Sequence, residues 1–359
     1  MSIVKKNKQF LIIKLQHHGD VLLTTPLIDK IKHTYPDSHI DMLVYKETAD
    51  ILHDNHRIRQ IFTIDRQWKK AGIYTQLKHE YELFSKLKVH RYDWIFNLSD
   101  QWRAAAIAKL CGLQSVGFKY AKRNNALWRF CHNELYEELG PEHHIVENHL
   151  TVLCPLDLQD DYVPCVNMEI DPATRKELHH KLYERGWQGE EYILIHPGSR
   201  WIFKCWDNDK TTELLQRLLD AGYNIVVTAA PDAVEQAMLA EITGRLKIPQ
   251  QVKLWQLSGV LNLRELAAAI DGAKLFIGVD SVPMHMAAAL DKPQIALFGP
   301  SWVSRWRPYS DKATVIWAGD FGDLPHPDSI NTADSKRWLS KIPVDAVWYA
   351  VKERLMLTN

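Results

Sequence analysis

The sequence has no long hydrophobic run and no surplus of charge of either sign. No stretch approaches the roughly 20 apolar residues that a bilayer-spanning helix requires. The apolar run Phe10–Leu15, which follows a basic start, is too short for a signal peptide. Lys and Arg together number 44, as do Asp and Glu, so the formal net charge is zero, which argues against a dominant nucleic-acid-binding surface. We therefore expect a cytoplasmic protein without a nucleic-acid partner.

Paired cysteines, clustered acids and a glycine fingerprint are missing as well. The five cysteines are scattered and form no Cys-x-x-Cys pair, which argues against a zinc knuckle or a disulfide framework and fits a reducing compartment. No Asp-x-Asp pair follows a predicted strand. Asp207 and Asp209 are better explained as caps of the helix that begins near Lys210, so we expect no bound metal. The absence of Gly-x-Gly-x-x-Gly after the first strand argues against a dinucleotide enzyme.

What the sequence does contain is an alternation of short apolar runs and helix-length amphipathic segments. This alternation predicts parallel α/β sheets, and a length of 359 residues favours two domains. The predicted strands are Phe10–Leu15, His39–Val44, Gln60–Ile64, Trp94–Leu98, Tyr192–Ile195, Asn224–Thr228, Val252–Gln256, Leu275–Val279 and Gln294–Phe298. The predicted helices are Thr25–Thr34, Ile73–Leu87, Arg103–Cys111, Lys210–Asp220, Ala233–Thr243, Leu263–Asp271, Met284–Leu290 and Val344–Leu357.

The segment 134–171 carries four prolines within or at its end and little periodicity, so we interpret it as the linker between the domains. Two successive doubly wound domains are expected to place the carboxyl ends of both sheets against one crevice, where ligands usually bind.

A polar turn with an acid follows the first predicted strand. It contains His17, His18, Gly19 and Asp20, and a helix begins shortly afterwards. Two roles stay open for Asp20. It caps the helix, or it acts as the general base that takes the proton of an acceptor hydroxyl during inverting glycosyl transfer. The two histidines are candidates for contacts with the acceptor.

A turn with a hydroxyl and two cations follows the strand at Tyr192–Ile195. Ser199, Arg200 and Lys204 provide a donor and positive charge that suit a diphosphate leaving group. The alternative is an ordinary Pro-Gly turn with solvated cations.

The strand Leu275–Val279 passes almost directly into a helix of small residues, whose free N–H groups form an anion site. Ser281 is expected to add a hydroxyl to a phosphate, and Asp280 to accept hydroxyls of a donor sugar. The alternative is that Asp280 or Ser281 caps the helix and His285 is a core residue.

These motifs together resemble a known family. The string from Ile13 to Pro26 is similar to the N-terminal motif of the lipopolysaccharide core heptosyltransferases, glycosyltransferase family 9. Lys204-Cys205-Trp206 resembles the family's Lys-x-Trp step, and the stretch from Asp280 to His285, followed by Lys292-Pro293 and Leu297-Phe298-Gly299, resembles its second-domain motif. One position departs from the pattern, since Val282 stands where the family usually has glycine, and we expect it to restrict the loop.

The resemblance implies roles for individual residues. Asp20 would be the base, Lys204 would bind the nucleotide phosphates, Glu235 the ribose hydroxyls, and Leu261 would be an apolar wall for adenine. From the residues alone, Glu235 would be called an N-terminal helix charge.

The resemblance also implies the GT-B fold with no metal, in which two Rossmann-like domains face a crevice. The corresponding limits are 1–170, 171–342 and 343–359, with the last helix packing back toward the first domain. The implied donor is ADP-L-glycero-D-manno-heptose and the implied acceptor is the lipopolysaccharide inner core. Peripheral contact with the cytoplasmic face of the inner membrane is also expected.

Within the family, Gln16-His17-His18 most resembles type III members, which add the side-branch heptose to the second core heptose. A type I or type II step and a degenerate nucleotide-sugar-binding protein are the alternatives. A cluster of basic and aromatic residues in the first domain would meet the anionic acceptor, unless it is simply a solvated surface: Trp68, Lys69, Lys70, Lys119, Lys122, Arg123 and Arg129.

Overall fold

The chain divides into two compact units, Met1–Val166 and Asn167–Asn359. The computed structural model describes residues 7–70, 72–123, 125–158, 161–333 and 335–357. No helix in these ranges combines the length and the apolarity that a bilayer crossing requires.

The first unit is built on a parallel sheet with the strand order β3-β2-β1-β4-β5-β6. Its strands are β1 (Gln9–Lys14), β2 (His39–Tyr45), β3 (Gln60–Ile64), β4 (Tyr92–Asn97), β5 (Gly112–Phe118) and β6 (Glu134–Tyr136). Its helices are α1 (His18–Leu22), α2 (Thr25–Thr34), α3 (Ile73–Val89), α4 (Trp102–Cys111), α5 (Ala126–Phe130) and α6 (Ile145–Leu150). The central strand β1 is buried along nearly its whole length, as a strand covered on both faces must be.

The second unit is built on a parallel sheet with the order β12-β11-β10-β7-β8-β9. Its strands are β7 (Ile193–His196), β8 (Ile225–Val227), β9 (Leu254–Gln256), β10 (Leu275–Val279), β11 (Gln294–Phe298) and β12 (Ala313–Trp317). Its helices are α7 (Pro172–Tyr183), α8 (Asn208–Asp220), α9 (Ala233–Thr243), α10 (Leu263–Asp271), α11 (Val282–Ala289), α12 (Val303–Trp306) and α13 (Val344–Leu357). Val347 and Val351 of α13 are buried in the same apolar core as β7 and β10.

Every predicted strand and helix is confirmed, with ends that shift by up to two residues. The sequence did not predict β5, β6, β12, the 12-residue helix α7 or several short helices. The expected linker 134–171 is wrong over much of its length, because β6 pairs with β5 and α6 buries Asn148 and His149 in the first unit. Its polar residues are buried hydrogen-bonding partners, which weak periodicity does not distinguish from a solvated connection.

Candidate active site

Three residues predicted at separate positions of the second unit meet at the carboxyl edge of its sheet. Lys204 closes a helical turn after β7 and Asp280 follows β10, and these two strands are neighbours. The Lys204 ammonium lies 2.6 Å from Asp280 Oδ2, and the Ser199 hydroxyl donates to the Asp280 carbonyl at 3.4 Å. Ser301, which sequence reasoning missed, donates its hydroxyl to the same Oδ2 at 2.7 Å.

The electrostatics of Asp280 follow from these contacts. Burial would raise the pKa of Asp280, but the Lys204 charge and hydrogen bonds from Lys204 and Ser301 outweigh it and hold that pKa below its ordinary value. Asp280 is therefore ionised at neutral pH and forms a buried ion pair with Lys204. An ammonium has three donors, so the contact with Asp280 leaves Lys204 further hydrogen-bonding capacity. Its Nζ also lies 5.0 Å from the centre of the Trp201 ring, within range of a cation–π contact.

Helix α11 begins at the same edge, directly after Asp280 and Ser281. The Ser281 hydroxyl donates to the Val279 carbonyl at 3.2 Å, so it does not cap the helix. Val282 is the first helical residue and is not among the positive-φ residues of the described chain. A β-branched side chain therefore meets no left-handed backbone strain there, and the effect of Val282 on the phosphate loop stays a prediction. His285 is buried one turn further along α11.

Glu235 is a buried acid, 5 % exposed, and not the surface helix charge that its position alone suggested. Asp232 caps α9 by accepting hydrogen bonds from the N–H groups of Val234 and Glu235. Glu235 Oε2 accepts a hydrogen bond from the Ala230 N–H at 2.9 Å and lies 3.7 Å from His196 Nε2. Burial raises the pKa of Glu235.

Two neighbours of Glu235 depend on this buried environment. Burial lowers the pKa of His196 to about 4, so the ring is neutral, and its Nδ1 lies 2.9 Å from the Thr228 hydroxyl. A Cβ on Gly198 would overlap the Glu235 carboxylate. Gly198 therefore lets the turn after β7 pack directly against this acid.

The loop after β9 contains the predicted apolar wall, and Leu261 is half-buried there. Gly259 has a φ of +65°, and a Cβ on it would lie 2.6 Å from the Gln236 amide nitrogen, so this loop requires glycine. The buried Ser258 hydroxyl has no hydrogen-bond partner among the described residues. Such a group costs about 1–3 kcal/mol, and a bound ligand that supplied a partner would offset that cost.

The remaining predictions on this edge have mixed outcomes. Arg200 is exposed, with its guanidinium 5.7 Å from the centre of the Trp201 ring. Asp207 does not cap α8 with its side chain, because its Oδ1 accepts from the Ser340 hydroxyl at 2.7 Å. Asp209 pairs with Arg245. Within the described ranges, no group of three or more His, Cys, Asp or Glu is arranged to hold a metal ion.

In the first unit, Asp20 lies on the first turn of α1 and is half-buried. Its Oδ2 accepts a hydrogen bond from the His17 N–H at 3.3 Å, which is a long bond for a cap. One oxygen thus supports the helix, and the other, Oδ1, has no donor among the described residues.

The two histidines next to Asp20 are in different environments. His17 is exposed. His18 Nε2 lies 2.7 Å from the Glu47 carbonyl, and burial lowers the pKa of His18, so its ring is held neutral against the loop after β2.

A buried lysine at the end of β1 braces this turn. Lys14 Nζ lies 2.9 Å from His149 Nε2, and His149 Nδ1 lies 3.1 Å from the Leu23 carbonyl at the end of α1. Because an ammonium can only donate, Nε2 accepts and Nδ1–H donates. One tautomer of His149 therefore links the end of β1, helix α6 and the end of α1 through hydrogen bonds. In the sequence, the feature that could have indicated this link is a lysine inside an apolar strand.

A cavity of about 400 Å³ opens between the last residue of β2 and residues that follow β4, and the 3-10 turn before α5 contributes to it. Its lining is Tyr45, Gln101, Trp102, Arg103 and Arg123. The Arg123 Nε donates to the Asp100 carbonyl at 2.7 Å, and the guanidinium lies 5.8 Å from the centre of the Trp102 ring. Thus Arg123 lines this cavity, while Lys122 is exposed beside it.

Other members of the predicted basic and aromatic cluster lie elsewhere. Trp68 stacks on His79 and Lys119 pairs with Glu137 at 2.8 Å, whereas the side chain of Lys69 lies outside the described residues.

Comparison with known proteins decides the family. The model for glycosyltransferase family 9 (heptosyltransferase) matches residues 81–335, well over half of the chain. The chain belongs to glycosyltransferase family 9. Lipopolysaccharide heptosyltransferase 3 of Escherichia coli is 37% identical over 342 residues, which cover 95% of this chain and 97% of that protein. Lipopolysaccharide heptosyltransferase 1 of Escherichia coli K12 is 24% identical, with 81% and 88% covered.

The solved structures give the fold. The structure of E. coli ADP-heptose LPS heptosyltransferase II has a TM-score of 0.76 and 20% identity, covering 97% of this chain and 99% of that one. The two parallel-sheet units of this family 9 glycosyltransferase therefore have the GT-B fold, as predicted.

Proposed function

We propose that this family 9 glycosyltransferase moves a heptose from ADP-L-glycero-D-manno-heptose to the lipopolysaccharide inner core. The acceptor position is the second core heptose, so the product carries the side-branch heptose. The observation that carries the donor part of the proposal is the Lys204–Asp280 pair beside the start of α11. It places a buried ammonium beside the start of α11, where the backbone N–H groups of Val282 and Met284 can face a diphosphate and Pro283 has none.

The chemistry is a single displacement with inversion. Asp20 Oδ1 takes the proton of the acceptor hydroxyl as its oxygen bonds to the anomeric carbon. The bond from that carbon to the diphosphate oxygen breaks, and ADP leaves. Lys204 and the α11 N–H groups stabilise the charge that develops on the leaving diphosphate. We propose that no metal ion takes part.

The rest of the donor site accommodates the nucleoside and the sugar. Glu235 accepts ribose hydroxyls, and Leu261 lies against the adenine. Ser199, Arg200 and Ser281 contribute to the phosphate site, Asp280 accepts sugar hydroxyls, and Val282 and His285 shape the start of α11.

The acceptor meets the first unit. His17, His18 and Lys122 lie near the Asp20 turn or beside the cavity that Arg123 lines, and we propose that they contact the anionic core. Trp102 offers a half-exposed aromatic face of the kind that packs against sugar rings. The protein would work at the cytoplasmic face of the inner membrane.

The type III assignment rests on the relatives. Identity to the E. coli type 3 enzyme is 37% against 24% for the type 1 enzyme, and more of this chain is covered. Mass spectrometry of lipopolysaccharide from a strain lacking this protein tests it. Loss of one branch heptose with an intact outer core supports type III, and a truncated core contradicts it.

The role of Asp20 is tested by Asp20→Asn. Asparagine keeps a side-chain oxygen that can accept from the His17 N–H, so α1 stays supported while the base is lost. We expect the transfer rate to fall by roughly 10²- to 10⁴-fold, with unchanged affinity for ADP and unchanged melting temperature. A variant that turns over at the wild-type rate would remove Asp20 as the base.

A further inference from the structure

An exposed apolar stripe runs along the first turns of α3. Ile73, Tyr74, Leu77 and Tyr81 are 78%, 81%, 61% and 72% exposed. Residues four apart lie on the same face of a helix, so Ile73, Leu77 and Tyr81 form one row, with Tyr74 beside it. The later turns of α3 bury Leu83 and Leu87 in the core of the first unit, and Phe84 packs against that core. The exposed apolar row is therefore confined to the first turns.

The segment that contains this stripe carries a surplus of positive charge. Residues 66–91 contain seven Lys and Arg against two Glu, a surplus of five in a chain whose net charge is zero. Arg66 is paired with Glu47 outside the segment, at 3.1 Å. One of the two acids, Glu80, pairs with Arg103 of α4, and the other, Glu82, lies 4.0 Å from Lys78. Lys78 lies one turn after Tyr74, and Lys78 and Lys88 are both exposed.

The combination selects one occupant, a membrane with anionic lipid headgroups. The side chains of leucine and isoleucine and the ring of tyrosine insert at the boundary between lipid headgroups and acyl chains, while lysines bind the anionic headgroups. A second copy of this chain would bring two segments of the same positive surplus face to face, which like-charge repulsion disfavours. The charge of the segment therefore favours binding to an anionic lipid surface over association with a second copy of the chain.

The position of the stripe relates it to the acceptor. α3 follows β3, so its first turns lie at the carboxyl edge of the sheet, the edge that also carries the Asp20 turn and the Trp102 cavity. We propose that the stripe on α3 docks on the anionic bilayer, so that the sugar of a lipid-linked acceptor reaches this edge while its acyl chains stay in the membrane. The proposal rests on the proposed function for the nature of the acceptor.

The test is co-sedimentation of the purified full chain with vesicles of phosphatidylethanolamine and phosphatidylglycerol, with phosphatidylcholine vesicles for comparison. We expect binding to the anionic vesicles that weakens as salt rises. The double variant Ile73→Asn/Leu77→Asn should lower the vesicle partition coefficient by roughly tenfold or more.

Leu110→Asn/Leu113→Asn is the matched control. These leucines are 59% and 72% exposed at the opposite edge of the same unit, and their loss should leave binding unchanged. Because all four residues are exposed, both variants should keep the wild-type melting temperature.

Equal binding by the α3 variant and the wild type would overturn the proposal. So would a change in self-association, measured by light scattering, without any change in vesicle binding. Transfer to a delipidated core oligosaccharide separates this inference from the function, since the α3 variant should retain the wild-type rate on that acceptor. If the wild-type protein binds vesicles but transfers no heptose from ADP-heptose to the delipidated oligosaccharide, the result contradicts the proposed function and leaves the membrane-docking proposal standing.

Discussion

Replacing Lys204 by methionine separates two roles of the buried ammonium. In the native protein, Lys204 pairs with Asp280, and both side chains are largely buried, at 14% and 7% exposure. Removing one partner of a buried ion pair costs about 3–5 kcal/mol because the other charge is left without compensation. At about 2–4 °C per kcal/mol for a domain of 150–250 residues, the melting transition of the second unit should fall by roughly 6–20 °C.

The double variant Lys204→Met/Asp280→Asn removes both charges and should recover most of that loss. The Asn amide oxygen can still accept from the Ser301 hydroxyl, so no buried acceptor is left without a partner. Replacement of a whole buried pair by uncharged groups is often close to neutral. Differential scanning calorimetry of the three proteins measures this recovery.

Donor affinity should not recover. A charge-assisted hydrogen bond contributes about 1.5–3 kcal/mol, so both variants should bind ADP roughly 10- to 150-fold more weakly. Titration calorimetry with ADP distinguishes the two roles. A double variant that is stable and binds ADP as tightly as the wild type would refute a contact between Lys204 and the ADP phosphates. Lys204 would then serve only to neutralise Asp280.

The single variant should also respond to pH. Without its cation, buried Asp280 has a raised pKa, and a carboxyl with a raised pKa contributes a stability penalty that is present at neutral pH and shrinks as pH falls toward the unfolded value. The gap in melting temperature between Lys204→Met and wild type should therefore narrow toward about pH 4, the ordinary range of an unfolded aspartate. A constant gap would mean that the loss came from packing instead.

Two further predictions concern the environment of Glu235. Gly198→Ala should weaken ADP binding and lower the melting temperature, because the new Cβ overlaps the Glu235 carboxylate; calorimetry that finds both unchanged would contradict the packing. For His196, burial lowers the pKa to about 4 from an ordinary 6.5. Between these two pH values the histidine is protonated in the unfolded chain and neutral in the folded one. Stability should then fall by up to about 3 kcal/mol as pH drops from 6.5 toward 4, and His196→Asn should flatten that slope in urea unfolding.

The elements that the sequence predicted are those with a strong physical signal. Strands such as β1 and β10 are continuous apolar runs because helices cover both sheet faces. β5 contains two glycines, a glutamine and a serine, and β6 has three residues, so neither shows an apolar run. β5 forms because β4 presents an unpaired edge to it, and β6 then pairs with β5. The local sequence of β5 and β6 does not show that these edges are available.

The site shows the same limit. Residue types at strand ends pointed to Asp20, Lys204, Glu235 and Asp280, since the carboxyl edge of a parallel sheet is where such side chains collect. Their bonding partners depend on strand order. The contact between Lys204 and Asp280 exists because β7 and β10 are adjacent in the sheet, although the two residues are 76 positions apart in the sequence. Ser301 joins them because β11 lies on the other side of β10.

The placement of Asp280 has a consequence for donor binding. Its carboxylate is ionised, so an incoming diphosphate must share the Lys204 ammonium with an anion that is already bound. In the proposed mechanism, the donor phosphates would therefore need positive potential from elsewhere on this edge, and the backbone N–H groups at the start of α11 would supply it. In return, Asp280 fixes the ammonium in one position, and a fixed charge stabilises a developing negative charge without reorganising first. In the proposed mechanism, the acid that weakens attraction for the nucleotide would thus order the cation that acts on the leaving group.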